Sequence, residues 1–185
     1  KLGDEMERLR VVPYDSIWQH LFLEEKKYLQ SLLKEHSISI EHIGSTAIPG
    51  LSAKPIIDIL IVVKDSKSID EFTHELSALG YESKGERGVI GNRYFKKYDH
   101  YGAVSHHLHI YDEGSPHILR LLSFRDYLRA FNGERERYSR LKHDLVIEFP
   151  DDSEQYYKGK DSMIKEFEKK AEKWYLNSND IATNH

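Results

Sequence analysis

Apolar residues fall into two alternating rhythms along the chain, and the change between them marks out the elements. Ile17, Trp18, Leu21, Phe22, Tyr28, Leu29, Leu32 and Leu33 recur every three or four residues after Asp15-Ser16, which can cap them. That spacing predicts an amphipathic helix to about His36. Ile38, Ile40 and His42 then alternate with Ser39, Glu41 and Ile43, a period of two that predicts a strand running into Gly44-Ser45. Pro49, Gly50 and Pro55 break the next segment into a loop, and 56–63 is apolar throughout except for Asp58. So short a run, rich in β-branched residues, reads as a strand covered on both faces. A helix with Phe72, Leu76 and Leu79 on one side is expected to end at Gly80, and strands are expected over 89–97 and 104–111. Ser115-Pro116 opens a helix to about 131 that Asn132-Gly133 stops. Two more helices close the pattern, one to about Phe149 and one over 153–176 that Gly159 is placed to interrupt, leaving 177–185 as a frayed polar tail. The expected domain is a single unit over 11–176.

Composition narrows the partners. The 185 residues carry a formal net charge of -4, so no global basic field points to nucleic acid as the main partner, and any anion site must be local. The absence of cysteine removes thiolate nucleophiles, zinc-thiolate sites and disulfides. No stretch has the length of a membrane span, and 1–10 lacks the apolar run of a secretory signal, so the expectation is a cytoplasmic protein with no membrane partner.

The chemistry concentrates around the turn after the first strand. A carboxylate in an apolar strand needs a proton, a metal or a cation, so Asp58 must face a partner or a cleft. Gly44 and Ser45 present a turn whose amides can approach a phosphate closely. His107 and His109, two apart on a strand, project from one face and can meet Asp58 on a neighbour. Two imidazoles and one carboxylate suit a transition metal better than magnesium, which prefers oxygen. Arg93, mid-strand, is expected to grip phosphate or carboxylate, or else to pair with Asp58 or Glu82. Arg125 and Arg129, with Arg120 a turn back, form a row able to line an anion site or a solvated face. Lys54, Lys142 and Lys160 are further phosphate candidates, each read first as an ordinary surface lysine. Tyr156, Tyr157 and Trp174 are expected to pack the terminal helices.

The run Gly44-Ser45-Thr46-Ala47-Ile48-Pro49-Gly50-Leu51-Ser52-Ala53-Lys54-Pro55-Ile56-Ile57-Asp58-Ile59 resembles the signature of the GrpB family, which is assigned to the nucleotidyltransferase superfamily with a DNA polymerase beta type of fold. The resemblance continues through Arg93-Tyr94-Phe95, His106-His107-Leu108-His109-Ile110, Phe124-Arg125-Asp126-Tyr127-Leu128-Arg129, Tyr138 with Leu141-Lys142, and Tyr157 with Lys160, spanning about 11–175. It implies an α+β fold with a mixed β-sheet, an N-terminal helix and a C-terminal helical group. It also implies a small phosphate-bearing ligand, a nucleotide above all, with magnesium assisting nucleotidyl or phosphoryl transfer, beside the transition metal that the histidines offer as the other divalent candidate. In the superfamily the Gly-Ser turn faces a strand reading Asp, apolar, Asp or Glu, apolar, whose carboxylates hold two magnesium ions with a third from another strand. Asp58 stands in the first position, but Leu60 occupies the second. Two other readings therefore stand beside transfer: a binding module without catalysis, and a metal-dependent hydrolase built on Asp58, His107 and His109.

Overall fold

The computed structural model describes residues 9–182. Helix α1 (Ile17–Leu33) starts where Asp15 Oδ1 accepts a hydrogen bond from the Ile17 amide at 2.9 Å. It buries Trp18, Phe22, Leu29 and Leu33, each contributing about 1.5–3 kcal/mol of apolar burial. A 3₁₀ turn leads to β1 (Ser37–Ile43), and a second, Ser45–Ala47, comes after Gly44. Next come β2 (Ile57–Val63), a 3₁₀ segment Ser66–Phe72, α2 (Thr73–Ala78), β3 (Tyr81–Ser83), β4 (Arg93–Tyr98) and β5 (Val104–Asp112). Helices α3 (Pro116–Ala130), α4 (Asn132–Glu148) and α5 (Ser153–Ala182) complete the described chain.

The sheet has the order β1-β2-β5-β4-β3. Only β2 and β5 run parallel, and the other three pairings are antiparallel, so the sheet is mixed and the fold is α+β. Because side chains alternate across a strand, the sheet has two distinct faces. On one, Ile57, Ile59, Ile61, Val63, Leu108, Ile110 and Phe95 join the α1 residues in the main core. On the other, Leu60, Val62 and Tyr111 pack with Ile43 against Ile118, Leu121 and Leu122 of α3. A third cluster, including Ile48, Leu51, Tyr127, Tyr138 and Phe167, ties the turn after β1 to the helical group.

Three expectations about elements need revision. The short strand β3 has no counterpart among them, since three residues are too few for a period to show. β4 begins at Arg93 rather than 89, because Gly88 and Gly91 have positive φ and hold that stretch in turns. α5 is unbroken at Gly159 and continues to Ala182, past the tail expected from 177, with no glycine or proline after Gly159 to stop it. A Cβ on Gly159 would collide with Leu145, so this glycine lets α4 and α5 approach closely. The last three residues of the expected tail lie outside the described chain.

Candidate functional site

The register of the sheet assembles the site. Asp58 on β2 lies beside His107 on β5, Leu60 beside His109, and His109 beside Tyr94 on β4. These residues share the face that the main core leaves free. His107 Nδ1 is 2.9 Å and His109 Nε2 is 3.3 Å from the same Asp58 Oδ1. An ionised carboxylate only accepts, so both ring nitrogens donate to it. Burial alone would raise the Asp58 carboxyl, but the hydrogen bonds from His107 and His109 outweigh it and hold the group well below the usual carboxylate range. Tyr94 packs against both imidazoles, with ring centroids 5.4 and 5.1 Å away. Burial pushes its phenol up to about 12, and among the described residues its hydroxyl has no hydrogen-bond partner.

The Gly-Ser turn is shaped around this carboxylate. Gly44 has φ +71° and ψ -172°, a region essentially closed to other residues, and a Cβ there would sit 2.7 Å from Asp58 Oδ2. Below the turn, His42 is buried and stacks on Phe22 with centroids 4.8 Å apart. Its Nε2 lies 3.0 Å from Thr46 Oγ1, and that hydroxyl donates to the Ile56 carbonyl at 2.9 Å. The hydroxyl's one proton being used, His42 is the donor, and burial lowers its pKa to about 4. His42 therefore pins the turn to the strand rather than lining the cleft.

Beside this group opens a cleft of ≈ 760 Å³ between the sheet and the α4–α5 helices. Five cationic side chains line it, Lys54, Arg87, Lys96, Lys142 and Lys160, against the two carboxylates of Asp58 and Asp151. Lys142 stands out. It is 2% exposed, and its ammonium donates to Ser45 Oγ at 2.6 Å and to the Ser52 carbonyl at 3.0 Å while lying 4.2 Å from the Tyr138 ring centroid. No salt bridge to it occurs among the described residues, and burial pulls its pKa well below the ordinary lysine value. Lys160 lies over Tyr156 and Tyr157 at 4.4 and 5.0 Å, its pKa lowered to about 8 by burial and then by Lys54. Lys54 reaches the Tyr157 hydroxyl at 3.4 Å.

Of the residues expected at the site, Gly44, Ser45, Lys54, Asp58, His107 and His109 converge. Arg93 and Arg125 do not, and the expectation that they clamp a ligand is corrected. Arg93 points to the opposite face of β4, where Asp70 takes its guanidinium through bonds of 2.7 and 3.1 Å. Neither Asp58 nor Glu82 is its partner. Arg125 is held by Asp126 at 2.7 Å and Glu41 at 3.0 Å and donates to the His42 carbonyl, so its charge is already answered. Lys142, read first as a surface lysine, proves buried. Its signal was present in the sequence: Tyr138, Lys142 and Leu145 fall four and three residues apart, which places the lysine inside the buried stripe of α4. Tyr94 was missed because nothing in the sequence fixes the β4–β5 register.

The magnesium pair implied by the resemblance does not fit these side chains. Leu60 is fully buried in the α3-facing apolar cluster, and among the described residues the one group able to ligate a metal is Asp58, His107 and His109. That is one oxygen ligand and two nitrogens.

A mixed sheet in which a Gly-Ser turn faces a carboxylate on the next strand, closed by a C-terminal helical group, defines an α+β domain. The chain belongs to the GrpB family, whose model, described as GrpB protein, matches residues 8–170. The UPF0157 protein YqkA of Bacillus subtilis (strain 168) is 42% identical over 144 residues, 78% of this chain and 41% of that protein. The match therefore covers less than half the length of that relative. The crystal structure of the conserved protein GrpB from Enterococcus faecalis superposes with a TM-score of 0.86 at 40% identity, covering 90% of this chain and 99% of that one. A fainter likeness, TM-score 0.47 at 19% identity over 74% of this chain and 43% of the other, is to a structure of Cid1 in complex with its short product ApU. Among the described residues no helix is long and apolar enough to cross a membrane.

Proposed function

We propose that the cleft binds a small phosphate-bearing ligand, a nucleotide above all, with its phosphates against the Gly44-Ser45 turn, Lys142 and Lys160. The observation that carries this reading is Lys142, a buried ammonium on the cleft wall that no carboxylate among the described residues pairs with. Burial disfavours the protonated form of this amine, and a phosphate beside it restores that form through charge-assisted hydrogen bonds. Lys54, Arg87 and Lys96 line the same cleft and extend the cationic wall over a polyphosphate. The nucleotide half rests on the nucleotidyltransferase-like arrangement of turn and carboxylate. The test is calorimetric titration with the four nucleoside triphosphates and inorganic triphosphate, on the wild-type chain and on Lys142→Met. Saturable binding that the variant weakens at least tenfold is expected, and no binding by any of the five probes overturns the proposal.

Leu60 favours a second reading, a binding module that holds its ligand without turnover. The two are separated by recovering the bound nucleotide after prolonged incubation with divalent cations. A cleaved nucleotide supports transfer or hydrolysis, and an intact one supports the module.

A further inference from the structure

We propose that Asp58, His107 and His109 form a single mononuclear transition-metal site, suited to zinc or cobalt, instead of half of a two-magnesium centre. The inference stands apart from phosphate binding, since the three side chains meet whatever fills the cleft.

The distances support it. Asp58 Oδ1, His107 Nδ1 and His109 Nε2 lie within 4.8 Å of one another, with the two carboxylate-to-imidazole separations at 2.9 and 3.3 Å. A zinc ion with bonds of about 2.0–2.1 Å sets its ligand atoms about 3.3 Å apart, close to the two carboxylate-to-imidazole separations. Both imidazoles direct a nitrogen to the same Asp58 oxygen, one through Nδ1 and the other through Nε2, and an ion replaces the proton on each of those nitrogens while the neutral ring carries its proton on the other nitrogen. Nitrogen-rich donor sets select first-row transition metals over magnesium, which requires oxygens in near-octahedral array.

The surroundings favour a deliberate site. Tyr94 packs on both rings and fixes their planes. Gly44 leaves room beside Asp58 Oδ2 that any other residue would fill, and among the described residues that oxygen has no hydrogen-bond partner. The three side chains are 20–26% exposed, and Asp58 and His107 line the large cleft, so coordination positions not taken by protein face it. Three protein ligands with an open side is the arrangement of catalytic zinc sites, whereas structural sites close the fourth position with protein. Leu60 fits this single-ion design, because its burial under α3 removes the place where a second ion would be held.

The test uses the metal alone on the full chain stripped with chelator. One equivalent of Co²⁺ is expected to give visible absorption bands of a low-coordinate nitrogen and oxygen site, Zn²⁺ is expected to displace it, and millimolar Mg²⁺ is not. His107→Gln, His109→Gln and Asp58→Asn should each weaken Co²⁺ binding at least tenfold, with circular dichroism reporting that they remain folded. The wild type should bind Co²⁺ with no phosphate ligand present, which separates this proposal from the phosphate reading. Absence of the bands in the wild type overturns the inference. So does binding unchanged by all three variants, which would assign the ion to other histidines, and so does displacement by Mg²⁺ as effective as by Zn²⁺.

Discussion

Gly44→Ala probes how tightly the turn and Asp58 are built around each other. Two costs arise from the geometry. The backbone at φ +71°, ψ -172° lies where only glycine is comfortable, and a residue held there costs about 1–3 kcal/mol. The new methyl would also stand 2.7 Å from Asp58 Oδ2 and 3.2 Å from its Cβ, so the carboxylate must turn away. Turning it loosens the bonds from His107 and His109, each of net worth about 1 kcal/mol. Together these predict a loss of about 2–4 kcal/mol in unfolding free energy, read by urea denaturation. Repeating the substitution in an Asp58→Ala background removes the clash with the carboxylate but keeps the backbone cost. The loss there should be smaller by about 1 kcal/mol, a coupling that a double-mutant cycle resolves. Equal losses in the two backgrounds, or wild-type stability of Gly44→Ala alone, would refute the close fit of turn and carboxylate.

Replacing Lys142 with methionine should leave stability unchanged or raise it, because an apolar side chain of similar length removes a buried amine whose charged form burial disfavours; a loss above about 2 kcal/mol by urea denaturation contradicts this. His42 takes a proton at its ordinary 6.5 when unfolded and at about 4 when folded. Between these values protons accumulate on the unfolded chain, so stability falls as pH drops from 6.5 to 4, by about 3 kcal/mol in all for this group. His42→Gln, which keeps a donor toward Thr46, should flatten that part of the profile. Lys160, titrating at about 8 in the free protein, is charged below that value, so triphosphate affinity should fall about tenfold per unit as pH rises above it. Titrations from about pH 7 to about pH 10 check this, and Lys160→Met should make the slope shallower.

How far the site was legible depended on which periodicity carried each residue. The two-residue spacing of His107 and His109 and the isolation of Asp58 in an apolar strand told which face each takes, and the parallel β2–β5 pairing then brought them together. Arg93 failed because period two ranks residues within a strand but does not say which face meets the cleft. Its neighbour Tyr94 took that face, and Arg93 found Asp70 on a 3₁₀ segment that carries little periodic signal. Arg125 failed because its partner Glu41 lies 84 positions away, beyond any local pattern. Lys142 was misread for a different reason. A lysine on a helix is an ordinary surface residue by composition, and only its place in the Tyr138–Leu145 stripe marks it as buried. Helix α5 outlasted its expected end because Gly159 serves close packing against Leu145 rather than a break.

The most direct test of phosphate binding in the cleft is the calorimetric titration of nucleoside triphosphates into the wild-type chain beside Lys142→Met and Lys160→Met, at neutral pH and fixed low salt. One-to-one binding by the wild type, weakened at least tenfold in each variant with the fold intact, is the predicted result. Affinities equal in all three proteins, or no heat from any nucleotide or from inorganic triphosphate, would contradict it.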